Sequence, residues 1–278
     1  MTAIYAHPGS SPDETPVTLV TLRRLKKNRQ KIVCLTAYDA SFAALLDDAG
    51  IDLVLVGDSL GMVIQGHSST LPVTLDHMVY HTQLVSRGLR RAFLVADLPF
   101  LSYADPQTAL ASAGRLLREG GAHMVKLEGN ATQAAIVEAL SGQGIPVCAH
   151  LGLRPQSQHK IGGFRVAGRS EAEAAHMIED AKRLESAGAD LLLLECVPMP
   201  LAARITDAAG VPVIGIGAGA SVDGQILVLY DILGIGSGVR PRFAENFLSG
   251  ARSIREAVMA YAEAVRTGRY PRPEHGFE

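Results

Sequence analysis

The stretch 191-LLLLE-195 decides how this chain folds. Four leucines in succession leave no polar face, so a strand made of them must be covered on both sides, as the strands of a parallel sheet are. The surrounding apolar run, 190-ADLLLLECVP-199, stops well short of the roughly 18 to 20 residues that cross a bilayer. Similar short runs recur along the chain: 32-IVCLTA-37, 53-LVLVG-57, 93-FLVA-96, 123-HMVKL-127, 146-PVCAH-150, 212-PVIGIG-217 and 226-ILVLYD-231. Between most of them lies a segment able to form an amphipathic helix. Examples are 41-SFAALLDDAG-50, with Ser41 as cap and Gly50 at the end, and 107-QTALASAGRLLREGG-121, preceded by Pro106 at the first-turn position. Eight strand–helix units predict an α/β fold, a closed (β/α)8 TIM barrel. No linker rich in Pro, Gly and Ser divides the chain. The expected organisation is one barrel domain over 17–268, with a flexible N-terminal arm over 1–16 and a C-terminal tail over 269–278.

Composition narrows the partners. Of 278 residues, 47% are hydrophobic but only 5% aromatic, and Trp is absent, so the core must be built from Leu, Ile, Val and Ala. Lys plus Arg number 26 against 28 Asp plus Glu, a net charge of −2. Such a balance gives no general attraction to nucleic acid or to an acidic membrane, and favours small-molecule partners. Cys34, Cys148 and Cys196 lie far apart, without the paired spacing of a zinc or disulfide framework, which suits a reducing compartment. The opening MTAIYAHPGSSPDETP has no basic start and no continuous apolar stretch, so it does not read as a signal peptide, and a cytoplasmic location is expected.

In a barrel of this kind the chemistry lies at the carboxyl ends of the strands. There the runs end in Tyr38-Asp39, Gly57-Asp58-Ser59, Asp97, Lys126 and Glu128, His150, and Glu195. Any one of these acids alone is as well explained as a loop residue or helix cap. Carboxylates from successive strand ends, however, repel one another unless a cation shares them. Without paired Cys or His nearby, a hard ion such as Mg²⁺ is favoured, with Asp58, Asp97 and Glu128 as ligands directly or through water. Lys126 lies two residues before Glu128 and so on the same face of its strand, where it could hold an anionic substrate group or pair with Glu128. Glu195 ends a run expected to be buried. Burial raises a carboxyl pKa toward neutrality and suits a general base, although a structural ion pair would perturb it as well.

The segments 56-VGDSLGM-62, 95-VADLPF-100, 124-MVKLEG-129, 149-AHLGLRPQS-157, 194-LECVP-198 and 223-DGQILV-228, in this order, resemble the signature segments of the ketopantoate hydroxymethyltransferase family. The flanking 36-TAYDASFA-43 and 241-PRFAENFL-248 extend the likeness over nearly the whole chain. The resemblance implies a barrel of the phosphoenolpyruvate/pyruvate type. It implies transfer of a one-carbon unit from 5,10-methylenetetrahydrofolate to 3-methyl-2-oxobutanoate, giving 2-dehydropantoate on the way to pantothenate and coenzyme A. It also implies Mg²⁺ as cofactor and a homo-oligomer, a decamer in the family's usual form. By the same resemblance Asp58 and Asp97 are metal ligands that also contact the oxo acid, and Glu128 is the third acidic group of the metal site. Ser59 and Lys126 hold the substrate carboxylate, His150 lines the pocket and Glu195 accepts the proton. The chain departs from the family in carrying Tyr230 where His is usual and 219-GASVDG-224 in place of a bulkier acidic stretch.

Other signals are weaker. The glycines of 215-GIGAGA-220 could cradle a phosphate, but tight turns are the simpler explanation. His77 and His81 mimic a zinc pair without a third ligand, which favours solvent or interface histidines. The segment 151–169 is either a lid over the strand ends or a solvated loop. Two rival functions use the same residues differently: a metal-dependent lyase or mutase acting on another oxo acid, and a non-catalytic oligomeric scaffold.

Overall fold

The computed structural model describes residues 15–163, 165–236 and 240–278. Most of the expected N-terminal arm, residues 1–14, lies outside them, as does Phe164 of the 151–169 segment. Eight strands, β1 (Ile32–Thr36), β2 (Leu53–Val56), β3 (Phe93–Asp97), β4 (Met124–Glu128), β5 (Val147–Gly152), β6 (Leu191–Glu195), β7 (Val213–Ile216) and β8 (Gly224–Leu227), close into a barrel in sequence order. Every neighbouring pair is parallel, and β8 returns to pair with β1.

Eleven α-helices surround or cap the barrel among the described residues: α1 (Leu19–Lys27), α2 (Ala40–Asp48), α3 (Leu60–Val63), α4 (Leu75–Gly88), α5 (Pro106–Arg118), α6 (Ala134–Gly142), α7 (Gln158–Ile161), α8 (Glu171–Ser186), α9 (Met199–Ala208), α10 (Leu229–Leu233) and α11 (Ile254–Arg266). None of them is long and apolar enough to cross a membrane.

Side-chain alternation along the strands divides the core in two. One apolar cluster contains Ile32, Cys34, Leu53, Leu55, Phe93, Val95, Met124, Cys148, Leu191, Leu193, Ile214 and Ile226, which fill the barrel interior. Val17 and Leu22 of the N-terminal segment join this cluster, so α1 packs against the end of the barrel opposite the strand tips. The larger cluster holds the intervening residues, such as Val33, Leu35, Val54, Leu94, Val125, Leu192 and Leu194, packed against the helices.

Three sequence expectations are corrected. The eighth run begins earlier than 226-ILVLYD-231: the strand is Gly224–Leu227, and Leu229–Leu233 turns into α10. Glycine is needed at 224 because a side chain there would strike the Ile32 carbonyl of β1. Helix α2 is capped by Asp39, whose carboxylate accepts from the Ser41 and Phe42 amides, rather than by Ser41. Residues 269–278, expected as a tail, are seated on the barrel. Tyr270 and His275 are buried, and the Met199 amide donates to the Phe277 carbonyl at 2.9 Å.

Candidate active site

The same alternation that fills the barrel aims the polar residues. In β4, Met124, Lys126 and Glu128 share the inward face; in β6 it is Leu191, Leu193 and Glu195; in β3, Phe93, Val95 and Asp97. Each strand thus spends its first inward positions on apolar packing and its last on chemistry. Parallel register then brings the tips side by side, with Asp97 opposite Lys126 and Glu128 opposite His150. Asp58, Ser59, Asp97, Lys126, Glu128, His150 and Glu195 all line a single cavity of about 1410 Å³. All seven residues singled out in the sequence therefore meet. Asp39 does not join them, because it is spent as a cap.

At the floor, the Lys126 ammonium lies 3.0 Å from Asp97 Oδ1 and 3.4 Å from His150 Nδ1. Asp97 Oδ2 accepts the Asp58 backbone N–H at 3.0 Å, so two carboxylate-bearing residues are tied together by one main-chain bond. Burial lowers a lysine, but Asp97, Glu128 and Asp58 more than offset it and carry Lys126 above its usual range. Burial, reinforced by the Asp97 charge, pushes Asp58 up to about 7. Glu128 is also raised well above its ordinary value, first by burial and then by Asp58. One buried ammonium thus serves a crowd of acids.

At the rim, burial raises Glu195 to about 7, with the Lys126 charge pulling the other way. Its side chain keeps 18% exposure and opens onto the cavity. His150 Nε2 lies 3.3 Å from Glu195 Oε2. Burial and the Lys126 charge push His150 well below its usual value, so the ring is neutral. An ammonium can only donate, so Nδ1 accepts from Lys126 and the ring proton sits on Nε2, facing Glu195. Ser59 Oγ pairs with the Tyr38 hydroxyl at 2.9 Å.

The donor set fits a hard divalent ion. Mg²⁺ commonly takes one or two carboxylates and fills its remaining positions with water and substrate oxygens. Asp97 Oδ1 is buried against the Lys126 ammonium at 3.0 Å, outside hydrogen-bond geometry, and Asp58 is a second carboxylate-bearing residue tied to Asp97 through its main chain. Glu128 is held differently, its Oε2 accepting the Gln156 amide N–H at 3.1 Å. Among the described residues no group of three or more His, Cys, Asp or Glu side chains is placed to hold a metal ion by itself.

His77 and His81 do not form a metal pair. His77 Nδ1 accepts from the Thr74 amide in the cap of α4, and His81 Nδ1 lies 2.7 Å from the Tyr38 carbonyl. Gly217 and Gly219 adopt left-handed φ values of 63° and 78°, the turn that 215-GIGAGA-220 suggested. Two side chains next to the site had been assigned no role. Gln156 lay unremarked within 149-AHLGLRPQS-157, and nothing in the spacing of Tyr103 marks it; only the folded loop shows where either points.

Together the fold and this cavity define a (β/α)8-barrel enzyme with a charged centre at the carboxyl ends of its strands. The sequence model of ketopantoate hydroxymethyltransferase matches residues 16–273. The chain is 57% identical over 262 residues, 94% of its length and 95% of the relative's, to 3-methyl-2-oxobutanoate hydroxymethyltransferase of Halorhodospira halophila. It is 56% identical over 262 residues, 94% of its length and 99% of the relative's, to the protein of that name from Marinobacter nauticus. The chain belongs to the ketopantoate hydroxymethyltransferase family and is a transferase.

Solved structures show the wider fold. Phosphoenolpyruvate phosphomutase of Streptomyces platensis superposes with a TM-score of 0.59 at 14% identity, over 78% of this chain and 82% of that one. A 2,3-dimethylmalate lyase of the PEP mutase/isocitrate lyase superfamily gives 0.54 at 20% identity, over 75% and 80%.

Proposed function

We propose that this chain transfers a hydroxymethyl group from 5,10-methylenetetrahydrofolate to C3 of 3-methyl-2-oxobutanoate, releasing 2-dehydropantoate and tetrahydrofolate. The observation that carries the proposal is the placement of Glu195, a carboxylate held near neutrality at the rim of a cavity whose floor carries Lys126 between acids. The names of the relatives supply the substrate. The cavity of about 1410 Å³ opens widely at the barrel mouth and leaves room above the charged floor for a second reactant.

Asp58 and Asp97 would hold Mg²⁺, with Glu128 acting through water, and the ion would supply Lewis-acid stabilisation of the charge that develops on the 2-oxo oxygen. Lys126, a donor on a buried stem, holds the substrate carboxylate, and Ser59 adds a hydroxyl donor. Glu195 removes the C3 proton. With its pKa near 7 it is basic enough to act and is about half ionised at neutral pH. The His150 Nε2–H lies 3.3 Å from the Glu195 carboxylate, without hydrogen-bond geometry, and offers it a nearby positive edge. The C3 carbanion equivalent then forms the new carbon–carbon bond to the methylene carbon of the opened folate iminium. Water contributes the hydroxyl oxygen, and the folate nitrogen leaves as tetrahydrofolate.

Incubation with 3-methyl-2-oxobutanoate, methylenetetrahydrofolate and Mg²⁺, followed by NMR, tests this. A hydroxymethylated quaternary carbon and one equivalent of tetrahydrofolate are expected. Cleavage or rearrangement of the oxo acid without folate consumption would replace this function with a lyase or mutase activity.

A further inference from the structure

Gln156 is buried, does not line the cavity, and satisfies every polar group of its amide. Its Nε2 donates to Asp58 Oδ2 at 2.8 Å and to the Leu98 carbonyl at 3.0 Å. Its Oε1 accepts the Tyr103 hydroxyl at 2.5 Å, and its backbone N–H donates to Glu128 Oε2 at 3.1 Å. One residue therefore contacts two of the three acids assigned to the ion, one through its side chain and one through its main chain.

The arrangement has a polarity. An amide that rotated by half a turn would aim Oε1 at the Asp58 carboxylate and at the Leu98 carbonyl, two acceptors facing a third. The two acceptors therefore select the observed orientation, and the Tyr103 hydroxyl, which can donate or accept, completes it by donating to Oε1. Burial, and then the Glu128 charge, raise the Tyr103 phenol, so it stays a donor at any working pH. Gln156 lies at the centre of the turn Pro155–Ser157 that leads into α7, so the loop leaving β5 is tied to the acids at its first turn.

We propose that Gln156 is a positioning residue: it fixes the Asp58 carboxylate in the orientation that binds the divalent ion, and Tyr103 fixes Gln156. This assignment rests on the reading of Asp58 as a ligand. Partners that orient a ligand carboxylate from behind typically govern metal affinity about 10- to 100-fold.

The test uses the full-length protein and Mn²⁺ as the probe, with the free ion followed by electron paramagnetic resonance. Gln156→Met keeps the volume and removes both polar functions; Tyr103→Phe removes only the hydroxyl; Asp58→Asn removes the ligand. Gln156→Met is expected to bind Mn²⁺ at least about tenfold more weakly. Its proton exchange on the oxo acid should recover when Mg²⁺ is raised, a pattern that mere loss of folded protein would not give. Tyr103→Phe is expected to weaken binding in the same direction by less. If Asp58→Asn loses Mn²⁺ while Gln156→Met binds it as the parent does, the positioning role is overturned and the metal assignment stands. If Asp58→Asn binds Mn²⁺ undiminished, both are overturned. Should Gln156→Met fail to fold, Tyr103→Phe decides: weakened binding supports the assignment and unchanged binding overturns it.

Discussion

His150 Nε2 stands 3.3 Å from Glu195 Oε2, and the other nitrogen of the same ring stands 3.4 Å from the Lys126 ammonium. A neutral imidazole with its proton on Nε2 turns a lone pair to the cation and an N–H toward the carboxylate, though the latter is not aligned as a hydrogen bond. The ring therefore links the cationic floor of the cavity to the base at its rim, which is how an acid from β6 comes to be directed by residues of β4 and β5.

Replacing Glu195 by Gln preserves shape and hydrogen bonding but removes the base. Turnover is expected to fall by about 10²–10⁴, the usual contribution of a positioned general base, while Mn²⁺ and oxo-acid affinity change little. Steady-state rates together with a binding titration check both halves of this statement.

The pH dependence has a definite sign. Glu195 must be ionised to accept a proton, and its pKa is raised to about 7. The rate of C3 proton removal at saturating Mg²⁺ should rise with pH and reach half its maximum near 7. A profile already flat from pH 5 upward would show that a group of ordinary carboxyl pKa does the work.

Function here opposes stability. Asp58 is raised from 3.8 to about 7 by burial and by Asp97, so in the metal-free protein the folded state holds this proton more tightly than the unfolded state does. Its contribution is fully present below the unfolded value and is lost as pH rises from about 4 to 7, because the folded state then carries an unfavourable buried charge. Asp58→Asn should therefore raise the melting temperature of the metal-free protein at pH 8 by on the order of a few degrees, abolish metal binding, and have little effect on stability at pH 4. Scanning calorimetry at the two pH values in the presence of a chelator measures it.

Gly152 holds the site from the main chain. Its φ of 97° excludes side chains, and a Cβ there would collide with the Glu195 carbonyl. Gly152→Ala is expected to cost on the order of 1–3 kcal/mol and to displace the end of β6. Denaturant unfolding should show the loss, and the rate of proton removal should drop more than oxo-acid affinity.

The barrel was legible because buried parallel strands are written as short apolar runs, and 191-LLLLE-195 is such a run with its functional residue attached. That these seven residues would meet at one cavity was legible because each lies in, ends or closely follows an apolar run. The eighth strand was misplaced because 226-ILVLYD-231 keeps an apolar pattern straight through the turn into α10, whereas the true start, Gly224, carries no side chain to announce it. Asp39 ends the first run as the site acids end theirs, and only the fold shows that it is spent as the cap of α2. Gln156 and Tyr103 went unassigned because they act from behind the cavity wall, through contacts between loops 53 residues apart that no local pattern encodes.

The central claim is that acids gathered at the strand tips, with a divalent ion, let Glu195 take the C3 proton. It is tested most directly by incubating the protein with 3-methyl-2-oxobutanoate in D2O without folate, with Mg²⁺ or with a chelator, and following the C3 proton by NMR. Exchange that requires Mg²⁺ and disappears in Glu195→Gln is the expected result. Exchange that persists unchanged in that variant, or that proceeds equally well with the chelator, would contradict it.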